Sequence, residues 1–456
     1  MRRVATPVVA MLLGLGLGLG LAGHAGAQGQ PAAAKAVVIH AGALLDKPGQ
    51  APRGASTLVV RGGRIEAVRD GFAAPETVGA PGAQVLDLRD QFVLPGLIDS
   101  HVHIFSDDDK VKARMEGYSR DIEDNMVIAI DNARRTLEAG FTTIRDLGSD
   151  IHGVTALRDG IDKGLVSGPT IVAAGRAISV TGGHGDGSNN LNRDLADLAH
   201  RHAENVCNGP EDCRRAVRSQ IGQGADVIKF TATGGVLSNV AGGLGAQMFD
   251  DEMKAVVETA HMFGRKVAAH AHGTDGILAA LNAGVDSIEH GTFGTPQTDA
   301  LFKKTGAYFV PTMLAPQTAL EQARAGARSK ASLDKAEIAA KAAMENHRRA
   351  IASGVKIAFG TDTGVSAHGD NGKEFALMVS VGMTPAEAIK AATVNAADLL
   401  GRSASIGTLE PGKDADIIAV ASSPLADVTQ LEHPTFVMHR GTVARIGGQR
   451  APFPPN

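Results

Sequence analysis

"GLIDSHVHI", residues 96–104, sets two histidines, His101 and His103, one residue apart behind Asp99 in an otherwise apolar run. On a strand, residues two apart point to the same side. Both imidazoles would then face one point from the end of a short apolar strand. Alone, such a pair is as well read as two half-buried side chains. Its meaning depends on what stands at equivalent places later in the chain.

Short apolar runs recur at 97–104, 141–147, 170–175, 226–233, 266–272, 286–291, 307–313 and 355–362, separated by longer helix-like segments. Alternation of this kind predicts parallel strands with crossover helices. Eight such units over residues 97–402 predict an α/β fold, a closed (β/α)8 barrel whose chemistry sits at the C-terminal strand ends. One helix is signalled closely. Thr384-Pro385-Ala386-Glu387 is a capping box with Pro at the first helical position, and Gly401 is a stop. Residues 322–341, rich in Ala, Lys and Glu, read as a solvated helix with no part in a site. Residues 28–96 and 403–456 read as β-rich, in short apolar runs broken by Gly and Pro.

Polar residues fall where those strands end. Lys229 lies in "ADVIKFTATGG", His270 in "KVAAHAHG", His290 in "SIEHGT" and Asp362 in "IAFGTDTG". A lysine among apolar strand residues is costly unless paired or neutralised. Two readings stand for Lys229: an ion pair with a nearby Asp, or a carbamate formed with carbon dioxide that could bridge two metals. Four His, one Lys and one Asp converging on one mouth call for a shared partner, and two divalent cations supply it. Imidazole and carboxylate suit zinc, and carboxylate also suits manganese. Glu289, next to His290, is expected on the opposite face in a structural role. His200, His202, His261 and His347 are expected at the surface of helices.

This constellation resembles the amidohydrolase superfamily in its binuclear, carboxylated-lysine type. "VLPGLIDSHVH", Lys229, His270, His290, "GTDTG" and "AATVNAADLLG…IGTLEPGKDADIIAV" carry the resemblance from about Ala36 onward. It implies a barrel flanked by a small β-sandwich built from both chain ends, and a homo-oligomer, up to an octamer. It implies that His101, His103 and Asp362 hold one metal, zinc by ligand type, while a carbamate on Lys229 bridges to a second held by His270 and His290. Two ions of this kind lower the pKa of a shared water toward neutrality, with Asp362 as base and then acid. His184, in "SVTGGHGDG", is the candidate donor to the developing oxyanion. A solvent-facing loop histidine is its other reading.

The finer resemblance is to the dipeptidase branch: Xaa-Pro- and Xaa-Arg-dipeptidase-like proteins and bacterial ochratoxin-degrading amidohydrolases. "TGGHGD", "GADVIKFTATGGVLS", "AAHAHG" and "GTDTGVSAHG" carry it. It implies a small-molecule substrate, a dipeptide or N-acyl amino acid with a free carboxylate. His272 and His368 are candidates to recognise that carboxylate. Val236, Leu237, Val240 and Leu244 favour an apolar side-chain pocket, while Asp186 and Asp370 are expected as exposed loop acids. Lactonase or phosphotriesterase chemistry on the same metal site, an imidazolonepropionase-like cyclic amide hydrolase and a non-catalytic binding protein are the competing readings.

Composition adds boundaries. A formal net charge of -4 supplies no basic surface for nucleic acid. Arg2 and Arg3, an apolar Val8–Ala22 and Ala25-Gly26-Ala27 read as a signal peptide over residues 1–27, with Gln28 as mature start and no membrane contact after cleavage. A periplasmic or secreted enzyme is expected. The two cysteines, Cys207 and Cys213, read as a short-loop disulfide or as two thiols.

Overall fold

The computed structural model describes residues 35–117, 119–189, 191–201, 203–236, 243–322, 324 and 330–453. The leader over 1–27, with Leu237, Val240 and His202, lies outside these. Four strands come first: β1 (Ala36–Leu44), β2 (Ser56–Arg61), β3 (Arg64–Asp70) and β4 (Gln84–Pro95). Seven follow in alternation with helices: β5 (Leu97–Val102), β6 (Phe141–Asp146), β7 (Thr170–Ala173), β8 (Val227–Thr231), β9 (Lys266–Ala271), β10 (Ser287–His290) and β11 (Tyr308–Val310). The chain closes on β12 (Ile417–Val420), β13 (Phe436–His439), β14 (Thr442–Ile446) and β15 (Gln449–Arg450).

Both chain ends enter one eight-stranded sheet, ordered β15-β14-β13-β12-β4-β1-β2-β3. Its two halves join where β12 runs antiparallel to β4, with Ile417 opposite Pro95 and Ile418 opposite Leu94. The burial of β4 explains that placement. Its first half alternates, with Leu86 and Leu88 buried between exposed neighbours, and its last four residues are all buried. Val93 packs with Ile39, Leu58, Ile417 and Phe436. Phe92 and Leu94 face the larger core of the strand–helix region.

In that region β5, β6 and β7 form one parallel sheet, and β8 to β11 another. Residues of β5, β6 and β8 are buried throughout, as expected of parallel strands covered on both faces. Parallel bridges Ile178–Phe230, Phe309–Ile357 and Val102–Thr363 join the edges of these sheets. Seven of the eight expected strands are present. The eighth, 355–362, is not a regular strand. Its backbone changes partner: Ala358 donates to Phe309, Phe359 to Ala391, and Asp362 to His101. Asp362 also leaves the extended region, with φ 57°.

The capping box holds, with the Glu387 amide donating to Thr384 Oγ1 and the helix running Pro385–Lys390. Cys207 and Cys213 form a disulfide. Among the described residues, no helix is long and apolar enough to cross a membrane.

Candidate active site

His101 is the last but one residue of β5, and His103 follows the strand. Asp99 fixes both ends of the site at once. Its Oδ1 accepts from the amides of His101 (3.0 Å) and Thr361 (3.1 Å), and its Oδ2 from Thr361 Oγ1 (2.6 Å) and Asn371 Nδ2 (2.8 Å). A buried carboxylate with four donors is well satisfied. It staples the His-x-His stretch to the segment carrying Asp362. The Asp362 Oδ1 then lies 3.5 Å from His101 Nε2 and 3.2 Å from His103 Nε2, and one potential ligand atom from each of the three residues lies within 4.8 Å of the other two.

The remaining imidazoles close over this group. His290 lies 5.0 Å from His101 and 4.7 Å from His270, ring centre to ring centre. His184 lies 4.3 Å from His270 and His272 4.6 Å from it. With Lys229 they line one cavity of about 680 Å³. The backbone is strained here: His290, Thr312 and Asp362 have φ of 71°, 49° and 57°. Non-glycine residues in that left-handed region cost about 1–3 kcal/mol each and cluster at functional sites.

His103, His270 and His290 each have one ring nitrogen engaged by the protein. His103 Nδ1 donates to Gly148 O (3.1 Å) and His270 Nε2 to Gly234 O (3.4 Å). Thr312 Oγ1 donates to Pro311 O, so His290 Nδ1 donates to Thr312 Oγ1 at 2.7 Å. The opposite nitrogen of His270 and of His290 keeps its lone pair, which is the form a metal needs, while burial acts to lower His103 but Asp362 outweighs it and raises the ring above the usual range. Burial pushes His101 down to about 4, with the Lys229 charge adding to the effect, and drives His270 and His290 well below the usual range. Burial acts to raise Asp362, but the neighbouring His101 and His103 outweigh it and hold the carboxylate ionised. Asp362 Oδ1 is buried with no hydrogen-bond donor. That orphaned oxygen beside imidazole lone pairs fits a divalent cation.

Lys229 is 4% exposed. Burial lowers it to about 8, and Glu289 and Asp362 act on it only through space. Among the described residues, no ion pair or hydrogen bond ties its ammonium down. His184 lines the cavity with its amide held by Gln247 Oε1 at 2.9 Å, and burial, then Lys229, push it down to about 4. His272 lines the cavity with Nδ1 2.7 Å from Thr292 Oγ1. Val236 lines it too.

Several expectations are corrected. His368 is buried behind the site and does not line the cavity: its Nε2 sits 3.2 Å from the His103 carbonyl and its Nδ1 3.3 Å from Thr136 Oγ1. Glu289 faces inward and contacts His101 Nδ1 at 2.8 Å. The left-handed turn at His290 breaks the strand alternation that would have sent Glu289 to the other face. His347 is buried, not superficial, and its Nε2 donates to His290 O at 3.0 Å. Asp186 is buried and accepts from the Gly182 and Ser188 amides. The segment expected as a solvated helix contributes Ala339 to the cavity wall, on the helix Lys330–Ala352. Arg176 also lines the cavity, a residue the sequence did not single out. Only its place directly after β7 and before the Gly-rich loop could have signalled it.

The Amidohydrolase family model matches residues 92–445. The ochratoxinase of Aspergillus niger is 33% identical over 418 residues, covering 89% of this chain and 85% of the relative. A Xaa-Pro dipeptidase solved with methionine bound in its active site superposes with TM-score 0.83 at 38% identity, over 90% of this chain and 100% of that one. The crystal structure of A. niger ochratoxinase gives 0.78 at 31%, over 91% and 97%. With a family match over most of its length and relatives this similar, the chain belongs to the amidohydrolase family.

Proposed function

We propose that this chain hydrolyses the amide bond of dipeptides or N-acyl amino acids with a free C-terminal carboxylate. The observation that carries this is the convergence of six imidazoles, of His101, His103, His184, His270, His272 and His290, on one cavity with an orphaned Asp362 oxygen and a buried Lys229 that has no ion pair or hydrogen bond among the described residues. His101, His103 and Asp362 would hold one divalent ion, and His270 and His290 a second, with zinc favoured by the ligand types. Lys229, as free amine, would add to carbon dioxide through a new N–C bond with loss of one proton, and the resulting carbamate would offer anionic oxygen ligands to the ions. When bound, the ions supply an acidic water and polarise a carbonyl.

The chain's own groups do the rest. Asp362 takes the water's proton and returns it to the leaving nitrogen. His184, neutral through burial, donates to the carbonyl oxygen as charge develops on it. Arg176 lies in the cavity wall, 3.4 Å from Asp150 Oδ2, and its planar fork matches a substrate carboxylate. The relatives named for ochratoxin and Xaa-Pro substrates support this class, and ochratoxin A is itself an N-acyl phenylalanine. The bridged parallel sheets are read as a closed (β/α)8 barrel, and the sheet from both ends as its β-sandwich neighbour. The disulfide supports export to an oxidising compartment. Assembly into a homo-oligomer completes the reading.

The test is a panel of N-acyl amino acids, dipeptides and lactones, run beside metal analysis. Two ions per chain and amide hydrolysis abolished by D362N are expected. R176A should raise KM about tenfold, roughly 1.4 kcal/mol, for substrates with a free carboxylate and leave their C-terminal amides unaffected. Lactone turnover without amide turnover would overturn the proposal.

A further inference from the structure

Beneath the cavity, a guanidinium and a carboxylate are buried together. Arg145, on β6, is 1% exposed, and Glu289, on β10, is fully buried. Arg145 Nη2 donates to Glu289 Oε1 at 2.9 Å, its Nη1 to Ser287 Oγ at 3.1 Å, and its Nε to Ser100 O at 2.5 Å. Ser287 Oγ in turn donates to Glu289 Oε1 at 2.5 Å. The other carboxylate oxygen, Oε2, meets His101 Nδ1 at 2.8 Å. Apolar side chains of similar volume would serve stability as well as such a pair, or better. A stability role alone therefore leaves this ion pair unexplained.

The contact with His101 supplies the explanation. A carboxylate at this point only accepts, so His101 Nδ1 carries the hydrogen. The lone pair is then on Nε2, the nitrogen that faces Asp362 Oδ1. The other rings are oriented by neutral oxygens, on Gly148, Gly234 and Thr312. Against these three rings, His101 differs in having its Nδ1 held by an anion that has its own counter-charge. A carboxylate behind a ligating imidazole fixes its tautomer and raises its basicity.

We propose that Arg145 and Glu289 are a positioning pair that sets the tautomer of His101 and so governs how tightly the centre holds its metal. The inference rests on the metal reading of the same site. Neither residue touches substrate. Glu289 acts through the ring, and Arg145 through Glu289.

Two measurements test it. In apoprotein carrying ¹⁵N-labelled histidine, His101 Nδ1 should show the pyrrole-type shift of a protonated nitrogen and Nε2 the pyridine type. The double variant R145M/E289Q removes both charges together and avoids a lone buried ion. Zinc affinity of its apoprotein, read by competition with a chromophoric chelator, should fall roughly ten- to a hundredfold with an unchanged circular dichroism spectrum. A pyridine-type Nδ1 in the wild-type protein overturns the proposal. Wild-type zinc affinity in the folded double variant overturns it as well. Should the double variant not fold, the wild-type shifts decide. A wild-type chain that binds no zinc defeats the metal reading, and the shifts still judge the hydrogen bond separately.

Discussion

A Cβ added at Gly235 would fall inside the contact distance of the His184 ring. The glycine is required by close approach, since its φ is ordinary. G235A should therefore displace His184 while leaving the metal-facing rings in place. The expected outcome is a fall in kcat of about 10²-fold, the scale of losing one oxyanion donor, with metal content unchanged. Full activity in G235A would remove His184 from the proposed chemistry. At this scale the sequence disclosed most of the cluster, because histidines, a lysine and an aspartate at strand ends are conspicuous among apolar neighbours. Glu289 and His347 were misjudged for one reason. Period-two and helical-surface readings assume regular backbone and exposed helix faces, and here a left-handed residue and a buried helix face intervene.

The helix Lys330–Ala352 behaves differently from its composition. Rich in Ala, Lys and Glu, it still buries Ala339, Ala343, Ala350 and His347. Burial pushes His347 down to about 4, whereas an exposed imidazole titrates near 6.5. The unfolded chain therefore binds more protons between about pH 6.5 and pH 4, and stability falls as pH drops through that window. Thermal melts of the apoprotein should show Tm declining over that range, and H347Q should flatten the decline. An unchanged slope in H347Q would mean that other groups carry the effect. Among the strands, those continuous in apolar residues were legible. The stretch 355–362 was not, because its composition matches a strand while its hydrogen bonds are divided among three partners.

On the scale of the molecule, groups separated by up to 261 positions, from His101 to Asp362, are brought to one mouth. A ligand that binds only this folded arrangement stabilises it by mass action, about 2.7 kcal/mol at a hundredfold excess over Kd. Stripping divalent ions with a chelator should lower Tm by several degrees and abolish hydrolysis, and added zinc should restore both. Equal melting with and without chelator would count against a resident metal. The alternation of strands and helices, the β-rich ends and the residue types of the centre were legible from the chain's order of residues, because periodicity and polarity are local properties. It took the folded arrangement to reveal that Asp99 ties the two ends of the site together, that Arg145 and Glu289 stand behind His101, and that His368 packs against the His103 carbonyl and Thr136 instead of lining the cavity. Those are contacts between residues far apart in the chain, and no local pattern encodes which distant atom fills a given hydrogen bond.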